Sequence, residues 1–232
     1  MLRKIENKEM GRSNLGWLNS IFHFSFAEYY DFQNMSFGNL RVLNDDLIEK
    51  NTGFDKHPHR NMEIISYVVK GELTHEDSMG HKNTIKRGDV QYMSAGTGVF
   101  HSEHNLGSET LRLLQIWILP DKNGYNPAYG DCQFAWEERE NKWLHMVSSK
   151  EGIAPIKVNQ DINIYSLELE KEREISFPIN NGRQLYLVQV EGCSSINTIN
   201  MKEKDAMEIT EEDIFIKTKE TSHFIVIEML KG

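Results

Sequence analysis

The sequence predicts an all-β protein built from two tandem β-barrels. Three observations lead there. Helical periodicity is scarce, short runs rich in β-branched and aromatic residues recur between turn residues, and one such run has a counterpart in the second half of the chain. A chain of 232 residues holds one large all-β unit or two small ones, and a hydrophobic content of 39% supplies a core.

The strand-like runs, in order, are Ile64 to Val69, Asp89 to Met93, Leu111 to Leu119, Ile162 to Leu169, Gln184 to Val190, Asp213 to Ile216 and His223 to Met229. Gly71, Gly80, Gly88 and Gly192 fall where turns are needed. Ile65-Ser66-Tyr67-Val68-Val69-Lys70-Gly71-Glu72 matches Leu185-Tyr186-Leu187-Val188-Gln189-Val190-Glu191-Gly192 in pattern. A second strand and an acidic turn follow each copy (Arg87-Gly88-Asp89, Glu212-Asp213), which reads as a duplication. Between the copies, Pro120 to Gly152 is rich in turn residues and carries the charged run Glu137 to Lys142. The expected organisation is a first unit at 1–130, a linker with one short helix at 131–150 and a second unit at 151–232.

A formal net charge of −9 disfavours contact with phosphate backbones, so no direct nucleic-acid partner is expected. Met1 to Met10 is charged and lacks the apolar core of a secretory signal, and no apolar run is long enough to span a bilayer. Two distant cysteines, Cys132 and Cys193, make no disulfide framework and suit a reducing cytoplasm.

Six of the nine histidines lie between His57 and His104. In His57-Pro58-His59, residues two apart on a strand face the same way, so both imidazoles reach one ion. Pro58 cannot donate to a ladder and belongs at an edge or bulge. The same parity aligns His101 and Glu103 in His101-Ser102-Glu103. Two such strands supply three nitrogens and one carboxylate. That donor set suits Fe(II), Mn(II), Ni(II), Cu(II) or Zn(II), and on an octahedral ion it leaves two positions for a substrate or O₂. A closed structural zinc site uses cysteine more often, and no cysteine is near.

The stretch Gly53-Phe54-Asp55-Lys56-His57-Pro58-His59-Arg60-Asn61-Met62-Glu63, with Tyr67 and Gly71, resembles the first cupin motif. Gly88-Asp89-Val90-Gln91-Tyr92-Met93-Ser94-Ala95-Gly96-Thr97-Gly98-Val99-Phe100-His101-Ser102-Glu103 resembles the second, with two extra residues before the histidine. Together they resemble the pirin family. So do Gly16-Trp17-Leu18, Phe24-Ser25-Phe26-Ala27, Tyr29-Tyr30, Phe37-Gly38, Leu40-Arg41-Val42, Asn44-Asp45-Asp46 and Asn141-Lys142-Trp143-Leu144. The resemblance implies a bicupin of two jelly-roll barrels and a monomer. It implies a metal, usually iron, on His57, His59, His101 and Glu103. Ordinary cupins place the carboxylate at the position of Glu63, which remains the alternative.

The second half keeps no histidine pair: Ile175-Ser176-Phe177-Pro178 stands where the first motif falls, and the late His223 lacks a partner histidine. The second barrel is therefore expected to be metal-free and structural.

Several bacterial pirins act as quercetin 2,3-dioxygenases, opening a flavonol with O₂ and releasing carbon monoxide. The resemblance thus implies a phenolic small-molecule substrate. Glu103, a carboxylate beside a metal-bound hydroxyl, is the candidate general base, and Phe37, Met93 and Phe100, which flank the motif segments, are candidate pocket walls. The alternatives are a metal- or redox-sensing interaction module, like the eukaryotic coregulator branch, and another small-molecule enzyme on the same scaffold. His75, His81 and His104 read as solvated positions.

Overall fold

The structure, a computed structural model, describes residues 1–231. In chain order the strands begin with β1 (Leu2–Ile5), β2 (Gly11–Asn14), β3 (Leu18–Phe22), β4 (Leu40–Ile48), β5 (Thr52–His59) and β6 (Glu63–Lys70). They continue with β7 (Glu72–Asp77), β8 (Lys82–Lys86), β9 (Val90–Ser94), β10 (Val99–Asn105), β11 (Leu111–Ile118) and β12 (Ala128–Cys132). The second half adds β13 (Leu144–Ser149), β14 (Ile156–Val158), β15 (Ile162–Leu169), β16 (Glu174–Phe177) and β17 (Arg183–Glu191). It ends with β18 (Ser194–Ile196), β19 (Ile199–Met201), β20 (Ala206–Thr210), β21 (Ile214–Thr218) and β22 (Ser222–Leu230). Every strand-like run in the sequence lies on one of these. The strands outside that list are either short or, like the nine-residue β4, interrupted by polar residues that are nonetheless buried, so their alternation is not read. Among the described residues no helix is long and apolar enough to cross a membrane.

The chain forms two compact units. The first pairs a sheet ordered β12-β9-β6-β11-β4-β3-β2 with a sheet ordered β5-β10-β7-β8. Leu18, Ile48, Val68, Leu111 and Leu113 of the larger sheet meet Leu73 and Ile85 of the smaller in one buried cluster. Each such side chain contributes about 1.5–3 kcal/mol on burial. The second unit repeats the plan as β1-β20-β17-β22-β15-β13-β14 and β16-β21-β18-β19. β6 and β17, the matched runs, hold equivalent central places, each between the strands that follow it in the repeat. The fold is thus the expected bicupin.

Three boundaries differ from the sequence expectation. Met1–Met10 belongs to the second unit, because β1 pairs along β20 from Leu2↔Ile209 to Ile5↔Ala206 and covers that strand's edge. Val158–Gln160 belongs to the first unit, anchored by Asn159. The junction falls at Phe134/Ala135 rather than at 130, since Ala128–Cys132 is still a paired strand of the first barrel. The short helix of the linker is a single 3₁₀ turn, Trp136–Arg139. Cys132 and Cys193 are not joined in a disulfide.

Where the first unit has its histidine strands β5 and β10, the second has β16 and β21. Phe177, Ile214 and Ile216 there point into the apolar core with Leu187 and Phe224. Aliphatic and aromatic side chains fill the second barrel at the level where the first carries imidazoles.

Candidate metal centre

β10 alternates strictly: Val99, His101, Glu103 and Asn105 are buried, while Phe100 is exposed and Ser102 and His104 are half-buried. β5 runs antiparallel to it with His57 directly opposite His101. The ladder slips between His101 and Glu103. Beside that bulge a Cβ on Gly53 would come within 2.2 Å of the Glu103 carbonyl oxygen, so only glycine allows this approach.

The result is a triangle of imidazoles. Ring centroids are 4.8 Å apart for His57–His59, 4.5 Å for His57–His101 and 4.9 Å for His59–His101. One nitrogen from each lies within 4.8 Å of the others. His57 Nδ1 sits 2.7 Å from the Asp55 carbonyl, which can only accept, so Nδ1 carries a proton and Nε2 is the nitrogen left free of that bond. The His59 ring packs edge-on to Trp117 at 4.8 Å. His101 is buried, yet neither of its nitrogens has a hydrogen-bond partner among the described residues. Burial pushes His59 and His101 down to about 4, aided by the neighbouring imidazoles and opposed by Glu103. Both are therefore neutral near pH 7, the form that ligates a metal.

Glu103 is buried and held by three donors. Ser66 Oγ (2.8 Å) and Gln91 Nε2 (3.1 Å) donate to Oε1, and Gln115 Nε2 (2.7 Å) donates to Oε2. Burial alone would raise its pKa. The facing His101 and His75 and the hydrogen bonds from Ser66 and Gln115 outweigh that and hold it below the usual carboxylate range.

A second triad, His75, His101 and Glu103, also falls within 4.8 Å. His75 itself has both ring nitrogens committed. Gln91 Nε2 donates to His75 Nδ1 (3.1 Å), which leaves Nε2–H to donate to Asp77 (3.3 Å). His75 thus braces Glu103 and His101 from behind rather than offering a ligand atom. The sequence reading of His75 as solvated is corrected: it is fully buried, stacked on Tyr129, which stacks in turn on His81. It sits on β7, whose inward face joins the same barrel interior.

Glu63, the alternative carboxylate, is committed elsewhere. It accepts from Tyr92 Oη (2.5 Å), Ser94 Oγ (2.7 Å) and the Asn159 backbone N–H (2.9 Å). Neither metal-type cluster includes it.

A cavity of ≈ 280 Å³ opens on the imidazoles. Phe22, Phe26, Phe54, Ile64 and Trp117 form its apolar wall, and Ser20, Asn44, Asp46 and Gln115 its polar one. The candidate walls Phe37, Met93 and Phe100 do not line it. Phe100 faces away because it alternates with His101. Met93 packs in the core with Ile64 and Val99. Phe37 closes a local bridge with Leu40. The polar residues missed by sequence reading had a signal: Ser66, Gln91 and Gln115 are polar residues flanked by apolar ones inside largely apolar strands, which burial demands be hydrogen-bonded.

His223 in the second barrel is packed, with Nδ1 near Glu191 (3.2 Å), Nε2 near Ser166 (3.2 Å) and Trp136 edge-on.

The donor set fits a divalent transition ion. Two of the imidazoles, His59 and His101, are held neutral, the nitrogens of buried His101 lack protein partners, and the carboxylate of Glu103 lies beside His101, in a cluster with His75 rather than with His57 and His59.

Comparison with known proteins agrees. Residues 4–118 match the Pirin family model, and residues 145–229 match the model described as Quercetinase C-terminal cupin domain. The chain is 42% identical over 205 residues to an Escherichia coli K12 protein named quercetin 2,3-dioxygenase, covering 88% of this chain and 87% of that one. A pirin-like protein of Caulobacter vibrioides is 38% identical over 211 residues, covering 90% and 91%. The crystal structure of the bacterial pirin YhhW from Escherichia coli in complex with nickel(II) superposes with a TM-score of 0.92 at 38% identity, covering 100% of both chains.

Proposed function

This chain belongs to the pirin family, and from that premise we propose that it is a metal-dependent dioxygenase that opens a flavonol such as quercetin with O₂ and releases carbon monoxide. The observation that carries this reading is the imidazole triangle with partnerless His101 at the end of an aromatic-walled cavity.

In this reading His57, His59, His101 and Glu103 hold the ion. Fe(II) is the first choice, with Ni, Cu, Mn, Co and Zn as alternatives. The nickel(II) complex of YhhW supports keeping nickel among them. A bound divalent ion supplies Lewis acidity that lowers the pKa of a chelating hydroxyl. The protein's own residues do the rest. His57, His59 and His101 are the nitrogen donors, oriented by the β5–β10 ladder. Glu103, kept anionic, is the nearby group able to take the proton of a substrate hydroxyl. Ser66, Gln91 and Gln115 fix its two oxygens. Phe22, Phe26 and Trp117 exclude water and surround a planar ring system with apolar wall.

The test is anaerobic purification, loading with each ion in turn, and addition of quercetin under air with trapping of carbon monoxide. Metal-dependent loss of the flavonol absorbance with carbon monoxide is expected. Stoichiometric metal without turnover on any ion rules the reading out.

A further inference from the structure

We propose that Asn44 and Asp46 form a shelf that reads hydroxyl groups on the ligand, so that the cavity selects a polyhydroxylated aromatic over the same skeleton without those hydroxyls. This rests on the dioxygenase reading and deepens it, assigning recognition to residues other than the imidazole trio.

β4 crosses the barrel as a central strand of the larger sheet. Asn44 and Asp46, two apart, share its cavity face, and both are 3% exposed. Asp45 between them faces the other way and is fully used, in a 2.7 Å ion pair with buried Arg112. Its neighbours are not. Asn44 Oδ1 and Asp46 Oδ1 accept no hydrogen bond from any described residue. The cross-strand residues do not supply one. Gln115, opposite Asn44, commits its amide N–H to Glu103. Ser20, opposite Asp46, hydrogen-bonds the carboxyl yet leaves Oδ1 open.

A buried acceptor without a donor is destabilising, and a strand so regular could have placed aliphatic side chains here, as β11 does at Leu113 beside Asp46. An open amide oxygen and an open carboxyl oxygen on one cavity wall call for a ligand that brings hydroxyl groups, which can donate to Asn44 and can pair with the Asp46 carboxyl in either protonation state. The remaining wall sets the rest of the ligand: Phe26 lies edge-on to Trp117 at 5.4 Å and near Phe22 at 5.6 Å, a surround for a flat aromatic body. A flavonol with hydroxylated rings meets both demands. A flavonol with only its chelating 3-hydroxyl and carbonyl meets one.

The test uses the nickel-loaded protein, titrated without oxygen by calorimetry against quercetin and against 3-hydroxyflavone. The wild type is expected to bind quercetin at least ~10-fold more tightly, about what one good hydrogen bond confers. Asn44→Leu and Asp46→Leu are each expected to remove most of that preference while leaving nickel stoichiometry and 3-hydroxyflavone affinity unchanged. Tm should hold or rise, since an unsatisfied acceptor has been deleted. Asn44→Ala and Asp46→Ala carry the same binding expectation and stand in where a leucine variant does not fold. A merely structural role would lower Tm and weaken both ligands alike, and that pattern overturns the shelf. Equal wild-type affinity for the two flavonols, or variants that keep the preference, overturns the shelf and leaves the dioxygenase reading standing. A wild type that binds neither flavonol overturns the dioxygenase reading and the shelf with it.

Discussion

His57 and His101 are direct cross-strand partners on β5 and β10, with ring centroids 4.5 Å apart. Far apart in sequence, they are brought together by one antiparallel ladder.

His101→Ala is expected to abolish stoichiometric metal and all turnover. The loss of metal affinity should exceed the ~10–100-fold that removal of an outer hydrogen bond causes. Metal analysis of the purified variant decides it, and turnover by a metal-free His101→Ala protein would sink the mechanism.

Gln91→Leu removes the one amide that donates to both Glu103 and His75. Metal affinity should fall ~10–100-fold with the fold retained, because ligand orientation is lost while every ligand stays. Competition with a chelator of known strength measures this. Unchanged affinity would mean the network behind Glu103 has no part in binding.

Glu63→Leu should separate the two carboxylates. It strips Tyr92, Ser94 and Asn159 of a shared acceptor. Stability should drop by about 3 kcal/mol, as for loss of buried hydrogen bonds to one acceptor. Metal stoichiometry should stay at the wild-type value. A variant that folds normally but binds no metal would make Glu63 the ligand.

The metal-free protein should lose stability as pH falls from 6.5 towards 4. His23 is buried and pushed down to about 4 by that burial, as are His59 and His101. Between those pH values the unfolded chain takes up protons at these histidines that the folded chain does not, so stability rises with pH. Asp46 works the other way. Burial raises it to about 7, so the folded chain holds a proton there that the unfolded chain has released. Urea midpoints across this range should therefore climb with pH, and more steeply in Asp46→Asn. A flat or falling series contradicts the assignment of neutral buried histidines.

Much of the fold is legible in the sequence alone, and so is part of the candidate site. Strand parity, a local property, puts His57 with His59 and His101 with Glu103 on shared faces wherever the strands go; the structure gathers the three imidazoles, while Glu103 groups with His101 and His75. The duplication is readable in the matched runs that form β6 and β17. The pocket is not. Phe37, Met93 and Phe100 lie near the motifs in sequence, yet the wall comes from Phe22, Phe26 and Trp117 on other segments. Likewise His75 reads as a turn residue amid charges, and it is the pairing of β7 with β10 that carries it into the barrel.

The sequence by itself determined the two-barrel class, the histidine pairs and the absence of histidine pairs from the second copy, because alternation and composition act over a few residues. Only the tertiary structure decided that Glu63 belongs to Asn159, that Glu103 is braced by Gln91 and His75, that Met1–Met10 completes the second unit, and that Asn44 and Asp46 face the cavity. Each of these depends on which strands become neighbours in a sheet. That choice is made by burying distant apolar faces together, and no local pattern encodes it.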